Sequence, residues 1–181
     1  MKETRLQTTR LTICHLTPGD APFILDLLNQ PSFRQFIGDR GVRTLEDARN
    51  YIQKGPISSY ERFGFGLFLV KLTEGDIPAG ICGLLKRDTL PDVDIGFAFL
   101  PQFWSQGYAY ESAAAVLAHG KNTLGLKRIV AITQPDNAAS IKLLEKLGLR
   151  FERMVRLEGD DVELKLFAWE DRIYLDNVKD R

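Results

Sequence analysis

The sequence predicts a mixed α/β fold, a single central sheet with helices on both faces. Two observations carry this. Apolar residues recur mostly at helical spacing after the first strand and at strand spacing from Phe65 onward. After Pro101 the order becomes helix, strand, helix, strand, strand. The unit over residues 93–133 should therefore be a right-handed parallel crossover. At 181 residues, a single domain over residues 1–181 is expected.

Each element has a local reason. Residues 10–16 alternate, with Leu11 and Ile13 on one face, and read as a strand. Thr17-Pro18-Gly19-Asp20 has the form of a capping box with proline at the first helical position, and Phe23, Ile24, Leu27 and Leu28 follow at helical spacing. Thr44-Leu45-Glu46-Asp47 opens a second helix that turns Leu45, Ala48 and Ile52 inward and stops at Gly55-Pro56. Residues 31–43 between them fit neither period. Strands follow at 65–73, 79–87 and 93–100, with a turn at Glu74-Gly75-Asp76. A helix covers residues 108 to about 124, ending near Gly125, and 127–133 is a buried strand. Residues 137–147 form an amphipathic helix with Ile141, Leu144 and Leu147 on one face and Gly148 as its stop. Strands at 151–157 and 164–169 close the chain around the turn Glu158-Gly159-Asp160.

Composition narrows the function. Lys plus Arg and Asp plus Glu are 24 each, so the chain lacks the basic excess that direct nucleic-acid binding needs. Apolar runs such as Leu67-Phe68-Leu69-Val70 are far below membrane-spanning length, and the polar start is no signal peptide. Cys14 and Cys82 read as reduced, buried thiols, and a cytoplasmic protein is expected. His15 and His119 stand in different elements, with no metal-ligand spacing, so metal hydrolysis and serine-triad chemistry are disfavoured and no metal is expected.

Two stretches carry chemistry. In residues 94–111 a strand runs into a turn where Ser105, Gly107 and Ala109 alternate as a helix opens. Small side chains there let an anion reach backbone N–H groups that have no partner within the helix, at the positive end of its dipole. A glycine kept only for close packing would leave the same pattern. The known triphosphate fingerprints are absent. In residues 134–149, Asn137 opens a helix and Ser140 follows one turn later on the same side. Plain N-capping by Asp136 or Asn137 accounts for those residues equally well.

Together the two stretches resemble the GCN5-related N-acetyltransferase superfamily, and within it the branch typified by ribosomal-protein N-terminal alanine and serine acetyltransferases. Trp104-Ser105-Gln106-Gly107-Tyr108-Ala109 looks like that superfamily's pyrophosphate loop, [QR]xxGx[GA], with Trp104 at the Gln/Arg position, a replacement typical of the branch. Residues 137–148 look like its second signature, an Asn opening the last long helix and a Gly closing it. The opening around residues 10–29 and the closing Lys165-Leu166-Phe167-Ala168-Trp169 also suit the branch.

The resemblance implies a twisted, mostly antiparallel sheet of about six or seven strands. It also implies an acetyl-CoA-dependent transfer to a primary amine, most simply a protein N-terminus, by direct attack in a ternary complex. The acceptor is then a peptide or, alternatively, a small-molecule amine such as a polyamine, an antibiotic or an amino acid. A non-catalytic acyl-CoA-binding module is a third reading, and the chain is expected to be a monomer or homodimer. Where many members carry a thiolate-protonating Tyr, this chain has Leu144, so the resemblance offers Ser140 as the donor. A backbone N–H near Phe99 or Leu100 should receive the thioester carbonyl, and Asn137 should touch the pantetheine arm. The segment 104–110, with Trp104, Gln106, Gly107, Tyr108, Ala109 and Tyr110, should hold the pyrophosphate. Asp94 matches an acidic position of the branch and would take the amine proton through water, with Asp92 as its competitor; a solvated strand-end charge is the plain alternative. His15 is a further candidate for the acceptor side, and His119 reads as a half-buried helix residue. Segment 31–43, with Arg34, Asp39, Arg40 and Arg43, should wall the acceptor cleft, its arginines favouring an acidic acceptor.

Overall fold

The computed structural model describes residues 4–158 and 161–171. The tip of the last turn, Gly159 and Asp160, lies outside them. Eight strands form one sheet: β1 (Arg5–Gln7), β2 (Leu11–His15), β3 (Leu67–Leu72), β4 (Ile77–Leu85), β5 (Asp94–Phe99), β6 (Arg128–Thr133), β7 (Arg150–Arg156) and β8 (Glu163–Glu170). Their spatial order is β1-β2-β3-β4-β5-β6-β8-β7. Every neighbouring pair is antiparallel except β5 and β6. The sheet has one strand more than the sequence indicates, because β1 is three residues long and too short to show a period.

Six helices cover it: α1 (Ala21–Asn29), α2 (Pro31–Phe36), α3 (Leu45–Ile52), α4 (Ser58–Phe63), α5 (Tyr108–Asn122) and α6 (Ala138–Lys146). On one face Ile24 and Leu28 of α1, Phe33 of α2 and Ala48 and Ile52 of α3 pack on Leu69, Ile81 and Leu100. On the other, Ala113, Val116 and Leu117 of α5 and Leu144 of α6 pack on Ile95, Phe99, Ile129 and Phe167. Thr17 and Asp20 hydrogen-bond each other as a capping box, the Thr17 N–H donating to the carboxylate at 2.7 Å.

Two expectations for the first half fail. Leu45 is 41% exposed, because it is the first helical residue and Thr44 has turned the chain outward at the cap. The helix does not stop at Gly55-Pro56: a π-helical turn over Gln53–Ile57 carries the chain into α4, which ends at Gly64 in the left-handed conformation (φ 76°). Proline lacks an N–H, and the wider turn accommodates that gap. Segment 31–43, which fits neither period, contains the short helix α2.

The fold positions the site through one defect in the sheet. β5 and β6 pair only at Asp94↔Val130, so the two parallel strands part immediately beyond Asp94. The Leu100 N–H donates to Ala79 O, which makes Gly80↔Phe99 a pair without mutual hydrogen bonds. The N–H groups of Phe97 and Phe99 consequently point away from β4 and into the opening.

Candidate active site

The helix after β5 begins without a side-chain cap. Gly107 is the cap residue, with φ 83°, and Ser105 is also left-handed, with φ 59°. The first helical bond is Glu111 N–H to Gly107 O. Among the described residues, no hydrogen bond reaches the N–H groups of Gln106, Gly107, Tyr108, Ala109 or Tyr110. Left-handed residues in such a turn aim successive amides into one concavity, and the helix dipole adds positive potential there. A Cβ on Gly107 would both be strained and come 3.2 Å from Arg10 Nη2. The cradle therefore fits a diphosphate.

Three neighbours hold this loop. Arg10 donates from Nη1 to Gln106 O (2.9 Å), pairs with Glu111 (2.7 Å) and stacks over the Tyr108 ring at 4.5 Å. The Thr8 hydroxyl also donates to Glu111, at 2.6 Å. Trp104 donates its indole N–H to Phe99 O at 2.8 Å, tying the loop to the end of β5. The Trp104 backbone N–H is bonded to Pro101 O, and the Gln106 side chain to Gln102 O. Trp104 thus serves as scaffold rather than as an amide donor. Arg10 was missed from the sequence because its partners lie about a hundred positions away.

Across the opening stands the start of α6. Asn137 Oδ1 accepts from Ser140 N–H at 3.1 Å, so half of its amide is committed to capping. No hydrogen bond among the described residues engages Ser140 Oγ, and Leu144 is buried in the core at 1% exposure. Gln134, in the β6–α6 connection, donates to Gln35 O of α2 at 2.9 Å, bridging one rim of the cleft.

Asp94 lies at the vertex where β5 and β6 part. It is 1% exposed, and Arg87 Nε bonds both its oxygens at 3.0 Å. Burial pushes its carboxyl above the ordinary carboxylate range, and Arg87 opposes that shift. Asp92 is separated from it, ion-paired to Arg128, which also binds Glu152 and Glu170.

Geometry also revises the carbonyl site. The Leu100 N–H is already bonded. The Phe99 N–H is free of β4 but stands five residues from Asp94, about 17 Å along an extended strand. Phe97, on the same edge, is about 10 Å away. The Phe97 side chain packs against the core, and its backbone amide is what faces the gap.

The remaining candidates fall elsewhere. His15 stacks on Tyr60 (3.9 Å) and Phe68 (5.6 Å) within the core. Burial lowers the pKa of His119. Burial raises both thiols, Cys82 to about 12, so they stay protonated. In segment 31–43, Arg43 is paired to Asp39, holding that carboxyl near 2, and Arg34 binds neutral Asn29.

Comparison with known proteins agrees with this geometry. The acetyltransferase (GNAT) domain family matches residues 10–150. The uncharacterized N-acetyltransferase YnaD of Bacillus subtilis is 30% identical over 147 residues, 81% of this chain and 83% of that protein. A GNAT-family acetyltransferase of Bacillus anthracis superposes with TM-score 0.77 at 26% identity, covering 92% of this chain and 98% of that one. RimL, a ribosomal L7/L12 alpha-N-protein acetyltransferase in complex with coenzyme A, superposes with TM-score 0.80 at 20% identity, covering 92% and 98%. No helix of the described residues is long and apolar enough to cross a membrane. With a diphosphate cradle, a parted strand pair leading away from it and a family match over most of its length, the chain belongs to the GNAT family and is an acetyl-CoA-dependent acetyltransferase.

Proposed function

We propose that the protein acetylates the N-terminal α-amine of a peptide or protein by direct attack within a ternary complex. The observation that carries this is the single-rung contact of β5 with β6, which opens the sheet from the Asp94 vertex toward the uncapped start of α5. An extended acceptor backbone can enter such a gap from the α1–α3 side. The fold shared with RimL supports a protein acceptor, and a small-molecule amine is the second reading because the fold is shared as well with the microcin C7 self-immunity acetyltransferase MccE, solved with acetyl-CoA and AMP.

Each residue has a distinct task. The amides of Gln106 to Tyr110 fix the diphosphate, and the Phe99 amide and the Asn137 Nδ2 are placed to hold the pantetheine arm. The Phe97 N–H receives the thioester oxygen and polarises it. Asp94 accepts the proton from the amine through water as the C–N bond forms. As the C–S bond breaks, Ser140 Oγ gives a proton to the departing sulfur and regains one from solvent. Burial suits Asp94 to this, since a base with a raised pKa has more driving force for proton transfer.

Radiolabelled acetyl transfer to a panel of peptide N-termini and small amines tests the acceptor. Replacing Asp94 and Ser140 together by Ala should lower kcat/KM by about 10²–10⁴-fold, with coenzyme A affinity kept; unchanged turnover removes both from the mechanism. In the wild type, kcat/KM should rise with pH through a value above the ordinary carboxylate range. Stability has the opposite slope there. A raised folded pKa means the fold favours neutral Asp94, so that stabilisation is complete below the unfolded value and is lost as pH rises through the folded one. Urea titrations of wild type and Asp94→Asn across that window should diverge accordingly.

A further inference from the structure

Among the described residues, several cations face a carboxylate. Arg10 faces Glu111, Lys71 faces Asp76, Lys127 faces Asp171, and Arg128 faces three acids. One cavity gathers cations that mostly do not. A cavity of about 250 Å³ lies between the α3–α4 connection and the ends of β3 and β4, and Lys54, Arg62, Lys86 and Arg87 all line it. Among the described residues, no Asp or Glu lines it. Among the described residues, Lys54 and Arg62 have no carboxylate within ion-pair reach. Lys86 donates only to the neutral carbonyls of Leu90 and Pro91. Arg87 is the one cation already shared, with Asp94. The nearest acids in sequence, Glu61 and Asp88, are exposed and outside the lining.

The cavity adjoins the chemistry. Leu85 lines it and sits directly opposite Asp94 in the sheet. Leu85 Cδ1 stands 2.9 Å from where a Cβ on Gly96 would be, so Leu85, Asp94 and Gly96 share the face covered by α1–α3. Tyr51 adds a phenol to the wall, which burial keeps protonated against the opposing pull of Arg40 and Arg87. Three cations without a counter-carboxylate among the described residues, with Arg87 and a protonated hydroxyl beside them, make a receptor for negative charge.

We infer that this cavity is the subsite for an anionic group, a carboxylate or a phosphate, carried by the amine acceptor. The inference rests on the acetyl-transfer reading for the word acceptor but not for the anion site itself. The volume is below that of a drug-sized pocket, so it takes one such group with a few attached atoms, while the amine reaches past Leu85 toward Asp94. It also relocates the acidic preference that the sequence attached to segment 31–43: two of those three arginines are held by Asn29 and Asp39, whereas Arg62 only lies over the Phe63 ring at 4.9 Å and keeps its charge unpaired, as does Lys54, among the described residues.

Two measurements on the full chain test this separately from coenzyme A binding. In amide NMR spectra, sodium succinate and sodium phosphate are titrated separately, followed by coenzyme A. Saturable shifts confined to residues 51–62 and 85–87 with either anion, abolished in Lys54→Gln/Arg62→Gln, support the subsite; the anion that acts identifies the group. Absent, unsaturable or scattered shifts with both anions overturn it. Shifts around 105–110 with coenzyme A report on the cradle, so their failure counts against the catalytic reading and leaves the anion result readable. In the transfer assay, the double variant should raise KM about tenfold for an acidic peptide, Ala-Asp-Glu-led, or for phosphoethanolamine, with kcat little changed. KM for the matched neutral amines, Ala-Asn-Gln-led or ethanolamine, should not move. Equal effects on charged and neutral acceptors overturn the inference.

Discussion

The starts of α5 and α6 occupy equivalent addresses. Each follows one of the two parallel strands, β5 or β6, and each opens a helix at the cleft. Their hydrogen-bond accounts are opposite. At α6 the Asn137 side chain accepts from Ser140 N–H, so the helix caps itself. At α5 the cap residue is Gly107, which has no side chain to offer, and the first amides stay open. A helix leaves its first N–H groups unsatisfied, and whatever satisfies them is either part of the chain or a ligand. A self-capped helix is complete without substrate, whereas an uncapped one at a concave surface is a site.

Three substitutions can break or sharpen that contrast, in falling order of effect on coenzyme A affinity. Gly107→Asp should be largest. It places a carboxylate among the open amides, repels a diphosphate and strains a left-handed position by about 1–2 kcal/mol. A Kd increase of about 100-fold by titration calorimetry is expected, equivalent to about 2.7 kcal/mol; a change under threefold removes the cradle. Arg10→Gln comes next. It removes a half-exposed ion pair, the tie to Gln106 O and the stacking on Tyr108. Each is worth about 1 kcal/mol or less, so a loss of stability near 1 kcal/mol in urea is expected, with Kd raised a few-fold as the loop loosens. Asn137→Ala should be smallest for binding. It should cost about 1 kcal/mol of stability through the lost cap and raise Kd only about twofold, through the one lost Nδ2 contact with the pantetheine arm. If it weakened coenzyme A as much as Gly107→Asp, the two helix starts would be equivalent after all.

Much of this was legible locally. The left-handed glycine before a helix, the capping Thr44-Asp47 pair and the Asn137 cap all depend on neighbours within a few residues, and the sequence shows them. Strand periods located seven of the eight strands for the same reason. Failures fall where three-dimensional geometry overrides spacing, at a helix cap or between remote residues. Leu45 has the right spacing for the core but lies on the solvent side of α3. Leu100 was a candidate donor until Ala79 O proved to hold its N–H. Arg34 and Arg43 are instead engaged locally, by Asn29 and Asp39 five and four residues away, while Lys54 and Arg62 gave no signal at all.

By itself, then, the sequence determined most of the elements, their order and the small-residue turn at Gly107, because backbone conformation and capping are set by contacts along the chain. Tertiary structure alone decided where β5 and β6 part, which amides face the gap, that Asp94 is buried at its vertex beside Arg87, and which cations gather without counter-charge. Those properties depend on register and on distances between residues far apart in the chain, and no local pattern encodes them.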